Sequence, residues 1–66
     1  MNKLKIDDIV YFENNYDVTG KVIKIRDDNV LIEYVFGYDY ILEWISLDLF
    51  KYSEGSWELP NWVLED

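Results

Sequence analysis

The sequence predicts an all-β fold, a small five-stranded antiparallel barrel with a short helical turn and an extended C-terminal tail. Three observations lead there. Residues Val30 to Phe36 alternate with a period of two, so Val30, Ile32, Tyr34 and Phe36 share one face and Leu31, Glu33 and Val35 the other. Short apolar runs recur between turn-forming clusters: Glu13 to Asp17, Asp27-Asp28-Asn29, Gly37 and Glu54-Gly55-Ser56. At 66 residues the chain supports one core only, and closing a sheet on itself removes most unpaired edges.

Each element has its own justification. Ile6 to Phe12 reads as a first strand with apolar groups on both faces. Asn and Asp over Glu13 to Asp17 bond their own backbone and favour a loop. Gly20 to Ile25 is a second strand, with Ile23 and Ile25 on one face and Val22 on the other beside Lys24. If Val22 is also core, the period breaks and a β-bulge near Ile23 and Lys24 accounts for it. Asp27-Asp28-Asn29 is a tight hairpin turn into the third strand. Tyr38 to Ile45 is a fourth strand, opposing Ile41, Glu43 and Ile45 to Tyr40, Leu42 and Trp44.

Ser46 is placed to cap a single helical turn through Phe50. Lys51 to Ser53 forms a short last strand, which sets a division between a barrel over 1–53 and a tail over 54–66. Trp57 to Leu64 is extended, because Pro60 suits neither a helix interior nor a central strand. Two tryptophans, two leucines and a valine are too apolar for a solvated terminus. The tail either folds back on so small a core or docks on another chain, and fold-back is expected because the core needs the added burial.

Composition narrows the function. With no Cys there is no disulfide or thiolate metal site, and with no His the commonest general base and the usual zinc ligand are missing. Asp7 and Asp8 are adjacent in a strand and point to opposite faces, and Asp27 and Asp28 lie in a turn, so neither pair converges on a proton or a metal. No Ser–His pair, Gly-rich phosphate loop or metal-ligand spacing occurs, so no catalytic residues, cofactor or metal are expected. The longest apolar run, Ile9 to Phe12, is far from the roughly 20 residues of a membrane span. Met1 to Asp8 lacks the apolar stretch of a signal peptide, so a cytoplasmic setting without membrane contact is expected. Ala and Gln are absent while Asn, Lys, Ile, Tyr and Asp abound, a bias that fits AT-rich coding as in many phages and low-GC bacteria.

Charge is one-sided. The formal net charge is −8, but residues 1–26 hold five bases against four acids and residues 27–66 hold ten acids against Lys51 alone. That field repels phosphates and argues against direct nucleic-acid binding, while it attracts a basic partner.

The residues also resemble a family. Ile6-Asp7-Asp8-Ile9-Val10 stands where Tudor-type SH3-like barrels carry an apolar-Gly-Asp-x-Val opening, with Asp7 in place of the Gly. Gly20-Lys21-Val22-Ile23-Lys24-Ile25 is similar to their second strand, Val30-x-Ile32-x-Tyr34 with Gly37-Tyr38 to their third strand and aromatic-Gly turn, and Trp44 to Leu49 to their final helical turn. The similarity covers roughly residues 5–52. Thr19-Gly20-Lys21-Val22 with Ile32-Glu33 also resembles a KOW element, whose usual basic charge this chain lacks. The Tudor resemblance implies an aromatic cage for methylated Lys or Arg through cation–π contacts, with Phe12 (or Tyr11), Tyr34 and Tyr38 at the matching positions and Val18 where a further aromatic is expected.

The second half interleaves acids, Glu33, Asp39, Glu43, Asp48, Glu54, Glu58, Glu65 and Asp66, with Tyr38, Tyr40, Trp44 and Trp57. Carboxylates spaced along an aromatic-bearing surface fit a groove that Lys and Arg built for phosphates. The leading expectation is therefore a small acidic protein-binding module that mimics DNA, a phage-type inhibitor docking Glu33, Asp39, Glu43 and Asp48 on a basic surface of a nucleic-acid-handling protein. Its rivals are the methyl-peptide reader above and a homo-oligomer joined through Trp57, Leu59 and Trp62.

Overall fold

A computed structural model describes residues 3–65, except the side chain of Glu65. Six strands form one sheet: β1 (Ile9–Phe12), β2 (Thr19–Arg26), β3 (Asn29–Phe36), β4 (Asp39–Ser46), β5 (Lys51–Ser53) and β6 (Ser56–Leu59). Two 3-10 turns follow β4 and β6, Leu47–Leu49 and Asn61–Glu65. The sheet order is β4-β3-β2-β1-β6-β5. The all-β class holds, but the expected five antiparallel strands become six, and β1 pairs β6 in parallel, Val10 with Trp57 through Phe12 with Leu59.

The sheet is strongly curled. Laid flat, β4 and β5 would lie five strand spacings apart, about 24 Å. Only residues 47–50 join them, and five Cα steps reach at most about 18 Å even fully extended. Three of those residues sit in a tighter 3-10 turn, so the two edges must bend toward one another. No strand pairing joins β4 to β5 among the described residues, and the sheet stays open. A bulge helps it bend: Val22 pairs Ile32, but Lys24 pairs Leu31, leaving Ile23 as the extra residue. The bulge returns Ile25 to the inner face beside Val30, while Val22 is fully buried two positions after Gly20.

The first strand begins at Ile9 rather than Ile6. Lys5 to Asp8 form a turn in which the Asp8 amide donates to the Lys5 carbonyl at 3.1 Å and Asp7 takes φ +78°. The helical turn after β4 is present, but Ser46 makes no side-chain cap. Its place is taken by backbone bonds, Leu47 N–H to Asp28 O at 2.7 Å and Phe50 N–H to Leu47 O at 3.1 Å. The tail is not simply extended. Glu54 (φ +51°) and Gly55 (φ +85°) turn β5 into β6, since two successive positive φ values suit a tight hairpin. After Pro60 the chain coils through the second 3-10 turn, with Val63 N–H donating to Pro60 O at 3.2 Å. The division at 53/54 therefore falls inside a hairpin of one sheet.

The core gathers Val10 and Phe12 from β1, Val22 from β2, Val30, Ile32 and Tyr34 from β3, Ile45 from β4, Phe50 and Leu59, and Val63 and Leu64 from the last turn. Among the described residues it holds no charged side chain. Burying a side chain of this size stabilises by about 1.5–3 kcal/mol, so three of these contacts belong to the segment after Gly55.

Candidate functional site

The β3–β4 hairpin and the turn that follows it carry the acidic side of the molecule. Between Asp27 and Phe50 the chain has six acids, Asp27, Asp28, Glu33, Asp39, Glu43 and Asp48, and no base. The pairing register sets their directions. Asp39, Ile41, Glu43 and Ile45 face inward on β4, opposite Phe36, Tyr34, Ile32 and Val30. Tyr40, Leu42 and Trp44 face outward, opposite Val35, Glu33 and Leu31, and all three are exposed.

Tyrosine hydroxyls aim two of the carboxylates. Tyr34 Oη donates to Glu43 Oε1 at 2.8 Å, a part-buried bond that satisfies the only polar atom of an otherwise apolar core ring. Tyr40 Oη donates to Glu33 Oε2 across the outer face. Glu33 is flanked in its row by Lys21 of β2 and Leu42 of β4, and Lys21 leans the other way toward Asp7, 3.7 Å off. The four acidic candidates thus fall in one region without forming one cluster. Asp39 and Glu43 share the inner face of β4, Asp48 continues the strand into the 3-10 turn, and Glu33 stands on the outer face. Among the described residues no three acids come together as a cation site. Asp66 and the side chain of Glu65 lie outside the described residues.

The Tyr40 hydroxyl has its pKa raised above the ordinary value, chiefly because it donates to Glu33, with some loss of hydration and the repulsion of the Glu33 charge adding to it. Folding therefore holds this proton more tightly than the unfolded chain does. The bond's contribution is complete below the ordinary tyrosine range and is lost as pH rises through the raised value. Ultraviolet titration should include a late ionisation from Tyr40, and Glu33→Gln should move that ionisation to lower pH. Unchanged titration in that variant would mean that Glu33 does not hold Tyr40.

The cage candidates separate. Phe12 is 0% exposed and Tyr34 4%, with their rings 5.2 Å apart and tilted 54°, so they pack on each other inside the core. Tyr38, at the tip of the β3–β4 turn, is fully exposed. The three rings line no shared open surface. Period-two alternation cannot say which face of a strand meets the core, and here the inner face took the two rings. Of the self-association candidates, Leu59 is buried and Trp57 half-buried with an edge-to-face contact on Tyr52 at 5.2 Å, leaving Trp62 exposed. A separate groove between the N-terminal segment and the β5–β6 hairpin carries Lys3 and Lys5 against Tyr11, Tyr52 and Trp57. The bases therefore gather toward β1 and β2 while β3 and β4 stay acidic.

The sequence placed Tyr40, Leu42 and Trp44 on one face of the fourth strand but singled out none of them as a site residue. Their alternation with Ile41, Glu43 and Ile45 was the available signal. Both faces of that strand carry apolar groups, which hid the fact that the outer set is left uncovered.

Fold and site together define a small acidic β-domain with an exposed aromatic face along one edge of a curled sheet. The chain belongs to the family described as a domain of unknown function, DUF7205, whose model matches residues 2–57, ending within β6. No curated protein and no solved structure matches it.

Proposed function

We propose that this chain is a non-enzymatic protein-binding module that docks its β3–β4 side on a basic surface of a nucleic-acid-handling protein, acting as a small DNA-mimicking inhibitor of the phage type. The observation that carries this reading is the segment 27–50, which holds six acids and no base together with the exposed Tyr40, Leu42 and Trp44. Charges of one sign steer encounter with a basic groove, and exposed aromatics supply the apolar contact that charge alone does not. Hydroxyl bonds hold Glu33 and Glu43 in place before binding, which lowers the ordering cost. The setting proposed is the cytoplasm. No helix among the described residues is long and apolar enough to cross a membrane.

The curled sheet reads as a variant of an SH3-like barrel of the Tudor type. Asp7 adopts a left-handed φ where that opening carries glycine, β1 to β4 run as consecutive antiparallel neighbours, and a 3-10 turn follows the fourth strand. The inserted β6, parallel to β1, departs from that pattern.

Affinity capture from a bacterial lysate, eluted with rising salt and read by mass spectrometry, tests the function. Basic nucleic-acid enzymes should elute early and compete with added duplex DNA. A salt-resistant partner indifferent to DNA would overturn the mimicry.

A further inference from the structure

We infer that the free edge of β4 binds an extended Lys- or Arg-bearing segment of another protein by adding it to the sheet as a seventh strand; this rests on the acidic-docking reading and names its mode. Strand β4 ends the sheet order, and its register with β3 shows which backbone groups are unused. The Leu47 amide donates to Asp28 O, and 47 with 28 continues the β3–β4 register that pairs Ser46 with Asn29. Hydrogen-bonded and non-bonded pairs alternate along an antiparallel ladder. The pairs at Ile45, Glu43, Ile41 and Asp39 are therefore the bonded ones, and the N–H and C=O groups of Tyr40, Leu42 and Trp44 point away from β3. No backbone bond uses these groups among the described residues. The opposite edge, β5, offers only three residues.

The chemistry of the edge selects the occupant. An added strand would set alternate side chains against Asp39 and Glu43 on one face and against Tyr40, Leu42 and Trp44 on the other. A segment alternating basic and apolar residues satisfies both faces. A second copy of this chain does not, because two antiparallel β4 strands would gather Asp39 and Glu43 of both copies on one face and each copy carries −8. The same carboxylates that admit a basic strand thus keep the edge from pairing with itself.

The test uses the full chain and two synthetic peptides of equal charge and a length matched to β4. One alternates lysine and valine, and the other replaces valines with proline so that it cannot join a sheet. The alternating peptide should bind, and the amides of Tyr40, Leu42 and Trp44 should become slow to exchange while those of Ile41, Glu43 and Ile45 are already slow without it. Leu42→Pro removes an outward N–H and leaves the β3 ladder intact. It should keep the fold and bind roughly tenfold more weakly than Leu42→Ala, a difference of about 1.4 kcal/mol. Equal binding of both peptides with those three amides unprotected would overturn strand addition and leave acidic docking standing. If neither peptide binds at low salt, strand addition is also overturned. Acidic docking then falls only if charge reversal leaves lysate capture unchanged.

Discussion

A chain ending at Ser53 is expected to be unfolded. The missing segment supplies β6, which lies between β1 and β5, and with it Leu59, Val63 and Leu64 of the core. Without β6, β1 loses its parallel partner, and the Glu13 amide loses its acceptor, the Leu59 carbonyl at 2.9 Å. Three buried aliphatic side chains at about 1.5–3 kcal/mol each match or exceed the 3–5 kcal/mol or so that one core in so short a chain supplies. A single substitution measures the same dependence more gently. Leu59 is 1% exposed and pairs with the fully buried Phe12, so Leu59→Ala should cost about 2–5 kcal/mol through lost burial and the cavity it leaves. Denaturant titration followed by circular dichroism reads both. A shortened chain that melts like the whole would mean that β6 is no part of the working sheet.

Reversing Glu33, Asp39, Glu43 and Asp48 to Lys should abolish capture of the basic partner. Each reversal changes the charge by two, so four take the formal −8 to zero, and the acidic field of the β3–β4 side changes sign. The expected loss is roughly a hundredfold or more, about 3 kcal/mol. Glu43 needs separate treatment because its carboxylate accepts the Tyr34 hydroxyl, which a lysine cannot do. The triple variant that keeps Glu43 isolates charge from packing and should still bind far more weakly than wild type. Salt gives an independent reading, since exposed charges are screened over about 8–10 Å at physiological ionic strength. Wild-type affinity should fall steeply with salt and that of the triple variant should not. Equal affinity of the two proteins would remove the acidic surface from the account.

Much of the strand layout was legible because it is local. Val30 to Phe36 alternates cleanly, and the observed β3 keeps Val30, Ile32 and Tyr34 inside. The turn expected over Asp27-Asp28-Asn29 is there, tightened to Asp27 and Asp28, with Asp27 at φ +54° and Asn29 already paired in β3. The bulge was expected if Val22 joined the core, and Val22 is fully buried with Ile23 as the extra residue. The site was less legible. Acid positions are countable, but whether a carboxylate is free, aimed by a tyrosine or turned toward the core depends on its cross-strand neighbour, as Glu33 and Glu43 show.

By itself, then, the amino-acid order determines the β class, the turns, the break in β2 and the acidic bias of the second half, because backbone geometry and residue chemistry act over a few neighbours. Only the tertiary structure decided that Phe12 and Tyr34 are core while Tyr38 is displayed, that β6 runs parallel to β1, and that β4 keeps a free edge. These depend on which face of the curled sheet encloses the core and which distant segment completes it. Alternation marks two faces without saying which is inner, and the pairing of residues nearly fifty positions apart, such as Phe12 with Leu59, leaves no local trace.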